Sequence, residues 1–304
     1  MPNDTVRKVQ RVGILEMAAP DAERLALWDL FKQGLHDLGH AEGGAIAFEF
    51  RWAEGRTERL AGAADELVGL NVDVLVTAGT PAAAAASRAT ADIPIVMATG
   101  VGLGTQMTAG AAARNANVTG ISDLPAGISA KRLQLLRGAV PDAPLALLAD
   151  RGNPSSPLAL RETQTAAREA GIALKDYWIE TAADFAAALA AMRSDGIGGC
   201  VVAPGALFFA ERKALAALAI ERRIALIAPR REYAEAGCLM AYGAPIRENY
   251  RQAARYVRQI LRGAKPADLP VGEPAEFDLV LNLKTAQALS LTLPRTLSAT
   301  AETI

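Results

Sequence analysis

Short apolar runs alternate with longer stretches whose apolar residues recur every three or four positions, along nearly the whole chain. An unbroken or alternating apolar run of a few residues marks a strand, and a period near 3.6 marks a helix with one buried face. On that rule residues 11–15 form a first strand and 22–38 a helix stopped at Gly39. The alternating run 46–52 is a second strand, 55–69 a helical stretch, and 72–77 a strand apolar enough to be covered on both faces. Further strands are expected at 93–97, 118–121, 145–148, 174–179, 199–203 and 225–228, with a small-residue helix after the first of these. Later helices are expected near 126–139, 155–170, 182–193 and 208–222. A long helix over 248–261 meets a stop signal in Gly263 and Lys265-Pro266.

Repeated β-then-α order implies parallel sheets with helices on both faces. About ten strands are more than one compact sheet holds comfortably, so two sheets of about five or six are the economical arrangement. No long Pro- or Gly-rich linker separates them, so the chain must cross by short segments. Three fit: Asn117-Val-Thr-Gly-Ile-Ser-Asp123, Ala241-Tyr-Gly-Ala-Pro245 and Gly272-Glu-Pro-Ala-Glu-Phe277. The expected fold is α/β, with two Rossmann-like doubly wound lobes and three hinge crossings. Lobe one would be 1–121 plus 245–275, and lobe two 123–243 plus 277–304. In such folds ligands bind beyond the carboxyl ends of the strands, here in a cleft that a hinge can close.

Composition narrows the function. Thirty-two basic and 33 acidic residues give a net charge of −1, which offers no attraction to nucleic acid or an anionic membrane. No apolar run reaches the roughly 20 residues of a membrane span. Residues 1–10 are polar and carry no signal-peptide core, so the protein stays inside the cell or the signal is missing from this chain. Two cysteines, Cys200 and Cys238, are too few for a disulfide scaffold or a structural zinc site and are expected as buried small hydrophobes. His36 and His40 have a metal-compatible spacing but no third ligand nearby, so solvated histidines and no metal are expected. No Ser–His–Asp elbow, P-loop or paired-cysteine motif is present, which points to binding without catalysis and without a cofactor.

Four segments could hold a ligand. Thr77-Ala-Gly-Thr-Pro-Ala82 ends a buried strand at Gly79 and opens a helix, with Thr80 suited to the N-cap and Pro81 to the first turn. The free amides there, up to Ala82, attract a carboxylate or phosphate. Asn153, Ser155 and Ser156 in Asn153-Pro-Ser-Ser156 hold the equivalent position in the other half of the chain. Thr99 leads into Gly100-Val-Gly-Leu-Gly104, a glycine-rich loop expected to line the pocket, which lacks the spacing of a dinucleotide site. Arg230 and Arg231 follow a strand, and one of them is expected to meet an anionic ligand while the other pairs with Glu232 or Glu235.

A set of ordered stretches resembles the substrate-binding proteins of ABC transporters, in the subgroup that includes tryptophan- and tyrosine-uptake proteins. They include Phe31-Lys-Gln-Gly-Leu-His-Asp-Leu-Gly39, Phe48-Glu-Phe-Arg-Trp-Ala-Glu-Gly-Arg56, Val74-Leu-Val-Thr-Ala-Gly-Thr-Pro81, Asn153-Pro-Ser-Ser156, Leu207-Phe-Phe209 and Arg231-Glu-Tyr-Ala-Glu-Ala-Gly237. The resemblance implies a type I periplasmic binding protein fold, an extracytoplasmic location and delivery of a small molecule to a membrane permease. The sequence departs from the family where Gly102 and Gly205 replace aspartates and Arg230 replaces an aromatic residue. Two potential anions are lost and one cation is gained, so a carboxylate ligand with an apolar or aromatic body is expected, its α-amino group dispensable. Glu16, after the first strand, could still supply an acceptor. The expected protein is a monomer that does not bind nucleic acid. The alternatives are a ligand-sensing effector of the same fold, for which 1–10 leave no room for a DNA-binding headpiece, and a two-lobed racemase, which would need facing catalytic acids or thiols, whereas both cysteines lie in the second half of the chain.

Overall fold

The computed structural model describes residues 9–40, 46–101, 117–125, 127–274 and 276–304. It divides the chain into two compact units, Met1–Ser122 with Ile246–Glu273, and Asp123–Pro245 with Pro274–Ile304. The chain therefore passes from one unit to the other three times, after Ser122, Pro245 and Glu273.

The first unit is a five-stranded parallel sheet in the order β2-β1-β3-β4-β5. Its strands are β1 (Gln10–Glu16), β2 (Ile46–Trp52), β3 (Val74–Ala78), β4 (Ile95–Thr99) and β5 (Val118–Gly120). Strands β3 and β4 are buried at every position because helices cover both faces, which is why they read as unbroken apolar runs. Helix α1 (Ala22–Asp37) starts where the Asp21 side chain accepts the Arg24 N–H, and α2 (Leu60–Gly69) follows a short 3-10 turn rather than beginning at Gly55. Helix α3 (Thr80–Ala89) follows β3, and the helix Ile246–Leu261 returns to this unit after the second crossing. That helix buries Tyr250, Ala253, Ala254 and Val257 in a core shared with Trp28, Phe31, Leu35 and the inner faces of β1 and β3. The tight approach of the two helices requires Gly34, where an added Cβ would lie 3.0 Å from the Ala254 methyl. The small-residue helix expected after β4 falls outside the described residues.

The second unit holds a seven-stranded sheet in the order β12-β11-β10-β9-β8-β6-β7. Strands β6 (Leu145–Asp150), β7 (Leu174–Ile179), β8 (Gly199–Val202), β9 (Ala225–Ala228) and β10 (Met240–Gly243) are parallel. Strand β11 (Asp278–Leu281) runs antiparallel to β10, and β12 (Glu302–Thr303) closes the edge. The sequence reading contains none of the last three: β10 overlaps the segment 241–245 read as a crossing, β11 directly follows the crossing read at 272–277, and β12 is only two residues long. Helices α4 (Ile128–Ala139), α5 (Ser156–Glu169), α6 (Phe185–Ser194), α7 (Ala206–Ala210), α8 (Arg212–Glu221) and α9 (Arg231–Glu235) complete this unit. The single helix expected over 208–222 is two helices meeting at Glu211, with Phe208 and Phe209 of the first turned into the core.

Cys200 and Cys238 are both free and buried, as small hydrophobes. Burial pushes both thiols up, that of Cys238 to about 12, so neither ionises near neutral pH.

Candidate functional site

In each unit most of the described site residues expected from the sequence lie in the loops at the carboxyl ends of the parallel strands. In the first unit β3 passes into α3 through Gly79, whose φ of +93° suits glycine and which is itself the N-cap residue. Thr80 is therefore the first helical residue and does not cap the helix, contrary to the sequence expectation. Its hydroxyl accepts the Val101 N–H at 2.9 Å and donates to the Val101 carbonyl at 3.3 Å, clamping the loop after β4. The Gly79 N–H donates to the Thr99 carbonyl at 2.9 Å, a second tie to the same loop. Pro81 has no N–H, and neither the Thr80 nor the Ala82 N–H has an acceptor among the described residues. Gly100 lies over this helix start, where a Cβ would come within 3.4 Å of the Thr80 nitrogen. Gly102 lies outside the described residues.

Glu16 closes β1 and is 2% exposed. One carboxylate oxygen accepts the Ala18 N–H at 3.0 Å and the other the Trp28 Nε1–H at 3.1 Å. Arg24 is buried beside it. Burial lowers the pKa of that guanidinium, but the Glu16 carboxylate and Tyr250 outweigh burial and hold it above the usual range. Glu16 is thus the anion of an internal network.

In the second unit β6 ends at Asp150, and the turn after it is bonded to itself. The Asn153 side chain accepts from the Ser155 N–H at 3.0 Å and the Ser155 hydroxyl at 2.8 Å. Its amide nitrogen donates to the Pro204 carbonyl at 2.8 Å, fastening the end of β8. Gly205 sits against this amide, since a Cβ there would lie 3.4 Å from the Asn153 side-chain nitrogen and 3.2 Å from the Phe208 ring. The structure brings Asn153, Ser155, Ser156 and Gly205 together.

Arg230 and Arg231 diverge. Arg230 pairs with Asp123 at 3.0 Å and lies 5.3 Å from the Phe209 ring centre, in a half-buried setting. Arg231 turns outwards to Glu302 and Glu235, the surface pairing expected for one of the two.

Two neighbours were not read from the sequence. Arg132 of α4, 2% exposed, donates Nε–H to the Tyr242 carbonyl at 2.9 Å. Burial pulls its guanidinium down to about 10, with Asp123 pulling the other way. Tyr242 in turn stacks on Phe277. Gly243 permits this packing, for a Cβ there would fall 1.8 Å from the Pro229 carbonyl oxygen and 3.3 Å from an Arg132 nitrogen. No sequence signal marks Arg132, which stands in an amphipathic helix like any surface arginine. Asp150 had one: it is a charged residue closing an apolar run directly before a turn of Asn, Pro and Ser. Among the described residues no group of three or more His, Cys, Asp or Glu is placed to hold a metal, and no helix is long and apolar enough to cross a membrane.

Two α/β units built on largely parallel sheets and joined by three chain crossings define the type I periplasmic binding protein class. Residues 11–304 match the family model of ABC transporter substrate binding proteins, and the chain belongs to that family. It is 23% identical over 266 residues, 86% of this chain and 75% of the relative, to a tyrosine-binding protein of Clostridioides difficile (strain R20291). Its fold is that of an ABC domain from Streptococcus pneumonia solved in complex with L-Trp (TM-score 0.86, 21% identity, 97% of this chain and 100% of that one). A conserved domain protein from Vibrio cholerae is equally similar (TM-score 0.86, 24% identity, 97% and 99% covered). As a member of this family the chain is a solute-binding component of an ABC transporter.

Proposed function

We propose that the solute is a small carboxylate with an apolar or aromatic body, received in the first unit by the start of α3. The observation that carries this reading is the pair of unaccepted N–H groups of Thr80 and Ala82 at the first turn of a ten-residue helix. Buried amides need partners, and the helix dipole favours an anion at that end. Gly79, Thr99 and Gly100 keep the approach to these amides free of bulky side chains, and Pro81 pre-sets the turn. In the second unit Asn153, Ser155, Ser156 and Gly205 gather at the carboxyl ends of β6 and β8, and Arg230, paired with Asp123, offers that unit a guanidinium for an anion. The tyrosine- and L-Trp-binding relatives take carboxylate-bearing solutes, which supports the class.

The protein performs no chemistry on this solute, acts as a monomer outside the cytoplasm, hands the solute to a membrane permease and has no nucleic-acid partner. The test is a thermal-shift panel of aromatic and aliphatic carboxylates, each beside its primary amide. A ligand that binds only the native state at 100 times its Kd adds about 2.7 kcal/mol, several degrees for a chain of this size. Carboxylates should raise the midpoint and amides should not; equal stabilisation by the amides refutes the reading.

A further inference from the structure

Helix α10 (Ile246–Leu261) buries Tyr250, Ala253, Ala254, Val257 and Ile260 in the core of the first unit. Its other side carries arginine at 247, 251, 255 and 258, and a fifth follows at 262, whose N–H still donates to the Arg258 carbonyl. At 100° per residue these spacings place all five within an arc of about 80°. They form one row about 22 Å long, at 1.5 Å per residue. Arg247, Arg251, Arg255 and Arg262 are exposed, and Arg258 is half-buried.

Among the described residues the row is almost unneutralised. Only Arg251 meets an acidic side chain, Glu248 at 3.6 Å, and the Arg258 Nε is buried without a hydrogen-bond partner. Like charges three or four residues apart destabilise a helix. The helix dipole accounts for Arg258 and Arg262 near the carboxyl end, but not for Arg247, which stands in the first turn, where a cation is disfavoured. Five arginines against one glutamate give residues 246–262 a net charge of +4, which leaves −5 on the rest of a chain whose total is −1. The near-neutral total therefore averages over one strongly basic face and an acidic remainder.

The chemistry of the row selects its partner. A guanidinium fork pairs with phosphate or carboxylate oxygens. The row is flanked by Glu248, Gln252 and Gln259, so this side of the helix offers no large apolar side chain of the kind that centres a protein interface. A straight line of cations without an apolar centre fits a plane of lipid phosphates, which attracts basic side chains through charge alone.

We propose that the arginine row of α10 is a membrane-contact face that rests on anionic phospholipid headgroups. The contact keeps the first unit beside the membrane that holds the permease, and so raises the effective concentration of the binding protein there. It is independent of which solute the protein carries.

The test is co-sedimentation of the full chain with phosphatidylcholine vesicles, with and without about 30% phosphatidylglycerol. The chain should bind the anionic vesicles and not the neutral ones, and about 0.5 M salt should release it, because salt screens exposed charges. Arg247→Gln with Arg255→Gln keeps good helix formers and should weaken that binding about 25-fold, at roughly fivefold per cation. Arg247→Lys with Arg255→Lys keeps the charge and should stay within about threefold of wild type. Arg161→Gln with Arg193→Gln removes the same charge from exposed positions of the second unit and should also stay within about threefold. Equal binding to both kinds of vesicle, binding to neither, or an equal loss in the Arg161 and Arg193 control overturns the proposal. Binding to poly-L-glutamate without binding to the anionic vesicles assigns the row to an acidic protein and overturns the lipid assignment. Losing two unpaired like charges should leave the unfolding midpoint of Arg247→Gln with Arg255→Gln unchanged or raised. A lowered midpoint makes these arginines structural and overturns the proposal.

Discussion

Replacing Trp28 by Phe deletes one hydrogen bond and one small ring from the core of the first unit and leaves the rest of the aromatic cluster in place. Trp28 packs edge-on against Phe31, Phe50 and Tyr250 with ring centres 5.6, 6.0 and 4.9 Å away, and a phenyl ring can keep those contacts. What it cannot keep is the Nε1–H donated to Glu16 at 3.1 Å. A hydrogen bond to a charged group contributes about 1.5–3 kcal/mol. The apolar surface of the missing ring adds roughly 1 kcal/mol. Trp28→Phe should therefore cost about 2.5–4 kcal/mol. Urea unfolding followed by far-UV circular dichroism should show a lower midpoint with an unchanged slope, the mark of a stability change without a change in the surface exposed. The companion Glu16→Gln keeps the shape and removes the charge. Charge-assisted hydrogen bonds are about twice as strong as neutral ones, so the two changes should couple by roughly 1 kcal/mol. Additivity within about 0.3 kcal/mol would refute the claim that the indole is held by the carboxylate's charge.

Gly243→Ala should destabilise the second unit by about 3 kcal/mol, the upper end for overpacking, because the new methyl meets the backbone carbonyl of Pro229 rather than a yielding side chain. Urea unfolding measures it, and a loss below about 0.5 kcal/mol would mean β9 and β10 part freely. Burial raises the Asp150 pKa in the folded state, so the folded protein holds that proton more tightly than the unfolded chain does. The empty wild type should accordingly lose stability relative to Asp150→Asn as pH rises through the raised pKa, and the gap should close below the ordinary aspartate range. Midpoints of both proteins across about pH 4–8 check this, and a gap independent of pH would contradict it. Arg231→Ala removes exposed ion pairs with Glu302 and Glu235, so stability should change by no more than about 1 kcal/mol and solute affinity, read by calorimetry, should stay within twofold of wild type, roughly 0.4 kcal/mol.

Much of this protein was legible in its sequence because the signals are local. The apolar runs that became β3, β4, β6, β8 and β9 are buried on both faces, and an amphipathic stretch such as α1 announces its covered side whatever it packs on. The β-then-α order then fixes parallel sheets, and Gly79 before Thr80-Pro81 marks a helix start at a strand end. Strands β10 and β11 were not legible because they overlap or abut segments that read as crossings, and β12 is only two residues long; each takes its identity from the neighbour it pairs with. The roles of the polar residues were decided in three dimensions. Thr80 looked like a cap, yet Val101, far along the chain, claims its hydroxyl. Glu16 looked available, yet Trp28 and Arg24 surround it. Arg230 and Arg231 are adjacent in sequence and diverge because Asp123 and Glu302 arrive from opposite ends of the second unit's chain. Arg132 gains its meaning in the same way, from the Tyr242 carbonyl. Periodicity records which side of an element is covered, whereas the charge and hydrogen bonds around a single side chain depend on residues a hundred positions away that only folding brings within 3 Å of it.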